Sequence, residues 1–226
     1  MRKRRTYSRR KAAVRWIAAL MILIPVMSAV LVLTDSYCIT PEQTLRYLTS
    51  KKGLSPMEII YTQESKRYPK GDKTFLVCRN EDHVALNSTE FSLRYGWHDQ
   101  GISCVLDPAD PKERHHVWTC GSEQEARAWI CLFGFVPDGE MAPTFRAGVQ
   151  NGDWEKEDRS DSLFDPVTYT PVPTIPVEGG AIFLEEYLYE APKPAEEYEL
   201  EYFVIDTEVC IDGQWQDPCS WTSSSY

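Results

Sequence analysis

The chain of 226 residues holds four histidines, and two of them adjoin. His115 and His116, with Glu113 and Cys120 nearby, offer imidazole, carboxylate and thiol groups, the usual donors to a transition metal. They sit in HHVWTC, a strand-like run, where adjacent side chains point to opposite faces. The two rings should therefore diverge, one packed and one in solvent. His98, between Trp97 and Asp99, is the other acid–base candidate: an imidazole with an unperturbed pKa of ~6.5, held by a carboxylate, can act as a general base. Its surroundings, Tyr95 to Gly101, read more simply as a wide turn with aromatic contacts. Asp153, Glu155, Glu157, Asp158 and Asp161 give oxygen ligands of the kind that hold Ca²⁺, without the EF-hand spacing or its turn glycine, so a solvated acidic loop is expected. G-x-S-x-G, H-E-x-x-H and P-loop patterns do not occur. No catalytic residue, metal site or cofactor is assigned, and an enzymatic reading would have to rest on His98, His115 or the acidic loop.

Cysteine chemistry is the next candidate. Cysteines stand at 38, 78, 104, 120, 131, 210 and 219, an odd number, so at least one is unpaired or bonded to another chain. Cys210 and Cys219 flank IDGQWQDP, whose Asp212-Gly213 is a hairpin turn signal, making them the candidate disulfide on adjacent strands. Cys78, Cys104 and Cys131 lie in apolar runs and read as small buried hydrophobes. No C-x-x-C is present. Asn87-Ser88-Thr89 is a glycosylation sequon, meaningful only on a eukaryotic secretory route. Aromatic side chains supply a different chemistry, recognition, because Trp and Tyr are enriched at binding hot spots. Tyr95, Trp97 and Trp215 are the candidates, with Trp118, Trp154 and Trp221 behind them.

What must position these residues begins with Trp16 to Leu33, a run without a charged side chain. A helix over it would span roughly 27 Å, close to the ~30 Å hydrocarbon core of a bilayer. Pro25 lies mid-span, where a membrane helix tolerates it. Arg2, Lys3, Arg4, Arg5, Arg9, Arg10, Lys11 and Arg15 precede the run with no acid among them, and the first base after it is Arg46. That asymmetry predicts a plasma-membrane protein with residues 1–15 as a cytoplasmic tail, 16–33 as a single transmembrane helix, and the remainder extracytoplasmic. A cleaved secretory signal is the alternative. Against it stand the length of the apolar run and the lack of an A-x-A site before Thr34-Asp35-Ser36.

The net charge is -10, with an isoelectric point near 5.0. Acids concentrate after residue 151, where Lys156, Arg159 and Lys193 are the only bases. Such a surface repels polyanions, so no nucleic-acid partner is expected.

Residues 34–57 form a juxtamembrane segment in which Thr40-Pro41-Glu42-Gln43 combines an N-cap, a proline at N1 and a capping-box glutamine, predicting a short helix over 41–51 that stops at Gly53. Residues 58–120 read as an antiparallel meander: EIIYTQ, TFLVCR, HVALN, FSLRY and ISCVL are short, β-branched and aromatic, and divided by turn residues, with HHVWTC following. Residues 121–226 read as an acidic, sandwich-like part. Ser122 to Glu125 fits a capping box, AWICLFGFV (128–136) is a buried strand, and 141–149 is expected as its hairpin partner. Prolines 166, 171, 173 and 176 make 165–180 an edge or surface loop. AIFLEEY and YELEYFVIDTEVCI are the last strands.

Leu132-Phe133-Gly134-Phe135-Val136-Pro137, then Ala181-Ile182-Phe183-Leu184, then Phe203-Val204-Ile205-Asp206 before Asp212-Gly213, resemble the strand pattern of immunoglobulin-like sandwiches found in membrane-anchored extracytoplasmic bacterial proteins. The Cys–Trp–Cys arrangement of antibody domains is missing and the proline-rich insertion is long. The resemblance implies a structural or binding module and carries over no functional residue. The sequence thus predicts a mainly β protein with minor α content, anchored by one span, whose domain binds an envelope protein or a surface ligand. An envelope enzyme or metal-dependent hydrolase is the alternative.

Overall fold

The computed structural model describes residues 9–33, 38–65, 73–122, 126–151, 163–169, 173–200, 203–211 and 213–216. The chain divides into two compact units, Met1–Leu54 with Phe91–His98, and Ser55–Glu90 with Asp99–Tyr226.

The first unit contains helix α1 (Arg9–Leu33) and helix α2 (Pro41–Lys52). Every residue of α1 from Val14 to Val30 is exposed, and the helix has no apolar stripe because nearly all its residues there are apolar. Among the described residues no helix is long and apolar enough to cross a membrane. α2 starts as its sequence dictates. Thr40 is extended, Gln43 Oε1 accepts from the Ile39 and Thr40 amides at 2.5 and 3.3 Å, and Pro41 opens the first turn. It ends at Gly53, whose φ of 67° is the left-handed conformation glycine adopts without strain.

The second unit is built almost wholly of antiparallel strands. β1 (Glu58–Ser65), β2 (Lys73–Arg79), β3 (Val84–Ser92) and β4 (Gly96–Leu106) form a meander in the order β1-β2-β3-β4. β5 (His115–Ser122), β6 (Arg127–Pro137), β10 (Gly180–Glu190) and β9 (Ile175–Val177) form a second sheet in that order. β12 (Gln214–Gln216), β11 (Phe203–Ile211), β7 (Thr144–Asn151) and β8 (Phe164–Tyr169) form the third. A 3₁₀ turn, Ala195–Tyr198, precedes β11.

The second sheet has a core on each face. Trp129, Cys131, Phe133 and Phe135 of β6, with Ile182 and Leu184 of β10, meet Phe75, Val77, Val84 and Leu86 of the first sheet. The alternate residues Ala128, Ile130, Leu132 and Val136, with Phe183 and Tyr189, meet Phe145, Ala147, Ile205 and Val209 of the third. This explains why β6 reads as an unbroken apolar run: a strand covered on both faces has no polar face to alternate with. Gly134 interrupts the run because a Cβ there would strike the Phe183 ring.

Several expectations need correction. HVALN and FSLRY do not make two strands; β3 runs on to Ser92, and β4 starts at Gly96, so the wide turn expected over 95–101 is a tight one at 93–95. Gly96, with φ 68°, supplies the left-handed residue that closes it. The meander ends at Leu106 rather than 120, because β5 joins β6 in the second sheet. Residues 144–151 are not the hairpin partner of β6, whose two edges are taken by β5 and β10; β7 instead pairs with β11 and β8. The proline-rich segment does form edges, β8 of the third sheet and β9 of the second. Three sheets and two inter-sheet cores differ from the two-sheet immunoglobulin sandwich with one core.

Candidate functional site

The turn between β3 and β4 carries the aromatic candidates Tyr95 and Trp97. Tyr95 and Phe91 are half exposed and Leu93 is 90% exposed. Trp97 is partly buried against Phe91, ring centroids 5.8 Å apart, and its amide donates to the Cys38 carbonyl at 2.8 Å. The Arg94 guanidinium lies 5.0 Å from the Tyr95 centroid, and His98 meets the same ring edge-on at 5.8 Å. His98 Nδ1 stands 3.1 Å from the Gly96 carbonyl oxygen. A carbonyl only accepts, so Nδ1 carries the proton, which directs His98 to orienting the turn.

The other aromatic candidate, Trp215, lies on β12 beneath the Arg146 guanidinium, 4.4 Å from the ring centroid. Arg146 forms an ion pair with Glu208 across β7 and β11. Trp215 thus covers a salt bridge on the third sheet and is half-buried in doing so. Trp118 is buried in the first core, while Trp154 and Trp221 lie outside the described residues.

His115 and His116 diverge as their strand requires, but both are packed, which corrects the expectation of one in solvent. His115 faces Phe145 of the third sheet at 6.3 Å, and His116 lies against Trp118 at 4.3 Å. Both faces of β5 are covered, so neither position is solvent-facing. Burial pushes the His115 pKa down, favouring the neutral imidazole. Among the described residues no three metal-donor side chains converge. The acidic loop 153–161 and the capping box at 123–125 lie outside the described residues.

Cys78 and Cys131 are fully buried; burial raises the Cys78 pKa to about 12 and raises Cys131 well above the ordinary thiol range. Both are protonated packing residues, as their apolar runs suggest. Cys210 stands opposite Trp215 in the antiparallel β11–β12 pair, and Gly213, just before β12, has φ 78°. Its proposed partner Cys219 lies outside the described residues. The sequon asparagine Asn87 is fully buried within β3, as are Ser88 and Thr89, so the folded chain does not present it to a glycan.

A polar cluster missed by the sequence reading sits inside the first core. Glu186 Oε2 accepts from Ser65 Oγ at 2.5 Å and from Trp129 Nε1 at 2.9 Å. Lys73, opposite Ser65 in the β1–β2 pair, is only 2% exposed, and Lys73, Glu186 and Cys104 all lie close enough to Cys131 to act on its charge. The signal was parity. Glu186 continues the inward face of Ile182 and Leu184, and Lys73 that of Phe75 and Val77. With its acceptor saturated by donors from both sheets and closed off from solvent, the cluster is built to lock the first two sheets in register.

A second group outside the sequence reading gathers tyrosines. Tyr169 and Tyr187 stack with centroids 4.2 Å apart, Tyr189 donates to the Asp165 carbonyl at 3.4 Å, and Lys193 Nζ stands 3.8 Å from Asp165 Oδ2. Desolvation raises the Tyr189 pKa to about 12. Asp165 holds φ 48°, an uncommon conformation for a residue with a Cβ.

No protein-family model, no curated protein and no solved structure matches this chain, and its function is read from its own residues.

Proposed function

We propose that this is a single-pass membrane protein, its N-terminus cytoplasmic and its three-sheet domain outside the plasma membrane, acting as a binding module for an envelope protein. The single observation that carries it is α1: from Val14 to Val30 its residues are exposed on every side, with Trp16, Met21 and Ile22 each more than 65% exposed. Although the described residues contain no helix long and apolar enough to cross a membrane, an apolar helix without a polar face has no stable place in water, and a bilayer is the solvent it fits. The basic run before it supports the orientation. Binding is favoured over catalysis because, among the described residues, three chemically capable side chains are spent internally: His115 and His116 in the cores, Glu186 on Ser65 and Trp129.

The test is cross-linking of the full-length protein in intact cells, with alkaline carbonate extraction and intact mass measured on the same sample. Retention in the membrane pellet at full mass, with one recurrent envelope protein attached, is expected. Release by carbonate, or a mass lacking the first thirty-odd residues, overturns the anchor; full retention with nothing attached overturns the binding role.

A further inference from the structure

We propose that the β3–β4 turn, Phe91–Trp97, is a second lipid contact, dipping into the interfacial layer of the bilayer that α1 enters. The inference rests on the anchor reading and adds a residue set to it. Three observations carry it, all within the first compact unit.

The first is the tether. Leu33 ends α1, and Cys38 is bridged to the turn through its carbonyl, which accepts from the Trp97 amide at 2.8 Å. Four residues separate Leu33 from Cys38 in the sequence, five Cα–Cα steps, so the bridge lies at most about 18 Å from the end of the helix. The headgroup layer begins where the hydrocarbon core ends and is itself roughly 5–7 Å deep. The turn therefore cannot leave the neighbourhood of the membrane surface once α1 is inserted.

The second is composition. Phe91, Leu93, Tyr95 and Trp97 alternate along the turn with Ser92, Arg94 and Gly96. Tyr and Trp are the residues of interfacial belts, and an arginine beside them suits the phosphate layer. Arg94 already lies over the Tyr95 ring, so cation and aromatic present themselves together.

The third is exposure. Leu93 at 90% and Phe91 and Tyr95 near one half are exposed apolar side chains on a backbone held by the Cys38 bridge and by the Tyr95 amide donating to Ser92 Oγ at 3.2 Å. A backbone so held loses little conformational freedom on entering lipid, which favours insertion over collapse.

The experiment places the photo-reactive residue p-benzoylphenylalanine at Leu93, at Ile22 or at Met141 in the full-length protein, reconstituted in phosphatidylcholine vesicles. Met141 is as exposed as Leu93 and belongs to the other unit, so it sets the collisional background. After irradiation the mass of lipid adducts is read at each position. Adducts at Leu93 as abundant as at Ile22, and well above Met141, are expected. Adducts at Ile22 with Leu93 at background overturn the turn as a lipid contact while leaving the anchor in place. Loss of adducts at Ile22 overturns the anchor, and the turn's tether argument falls with it.

Discussion

At the scale of single residues, the buried acid of β10 is the group whose loss costs most. Glu186→Ala leaves the Ser65 hydroxyl and the Trp129 Nε1–H without their acceptor inside a closed core. Leaving a buried donor unsatisfied costs about 1–3 kcal/mol, so denaturant unfolding of the full chain in detergent should show a lowered midpoint corresponding to a loss of at least that size. Trp129→Phe removes the donor and also part of the indole volume from a packed core, so it should cost more than the ~1 kcal/mol of the hydrogen bond alone. His115 gives a pH signature. Burial lowers its folded pKa below the unfolded value, so the folded state takes up its proton later than the unfolded chain does. Its contribution is fully present above the unfolded pKa of ~6.5 and is lost as pH falls below it. Unfolding measured between pH 8 and 5 should show stability dropping on the acid side, and His115→Phe should flatten that drop. An unchanged slope would mean that other groups govern it. The parity that places Glu186 and Lys73 inward was readable in the sequence, whereas the donors Ser65 and Trp129 come from other strands and were not.

At the scale of elements, β6 is the strand on which both cores depend. Gly134→Ala puts a methyl group into the Phe183 ring and against the Arg114 carbonyl, in a strand hydrogen-bonded on both edges. Neither backbone can yield, and overpacking of this kind costs about 1–3 kcal/mol. Thermal unfolding should place this variant well below Gly213→Ala, where the added Cβ meets nothing and only the φ of 78° is strained. Comparable losses would show that β6 and β10 pack more loosely than their residues indicate. The local signals served α2 well, since Thr40, Pro41, Gln43 and Gly53 act through groups a few residues away. They served β3 poorly. Asn87-Ser88-Thr89 looks like a break between strands, yet it is fully buried and paired to Thr74, Phe75 and Leu76 of β2.

At the scale of the whole molecule, the second unit is two cores sharing one sheet, and its unfolding should be shared too. Leu132→Ala, in the core with the third sheet, and Val77→Ala, in the core with the first, should each lower the midpoint of the same transition. Fluorescence of the buried Trp118 and Trp129 and far-ultraviolet circular dichroism should trace one coincident curve in both variants, and separated curves would mean that the sheets melt independently. The sequence by itself determined the β class of this unit, the short helix expected over 41–51, the edge character of the proline-rich segment and the apolar run at the N-terminus. Each is written in neighbouring residues: alternation, caps, prolines that cannot donate to a ladder, and an unbroken hydrophobic stretch. Only the tertiary structure decided that β5 leaves the meander, that β7 pairs with β11 instead of β6, and that Ser65 and Trp129 meet Glu186 between sheets. Those outcomes depend on which strand edges and faces compete for one another across large sequence separations, and a strand's own residues specify that it must be covered, not by what.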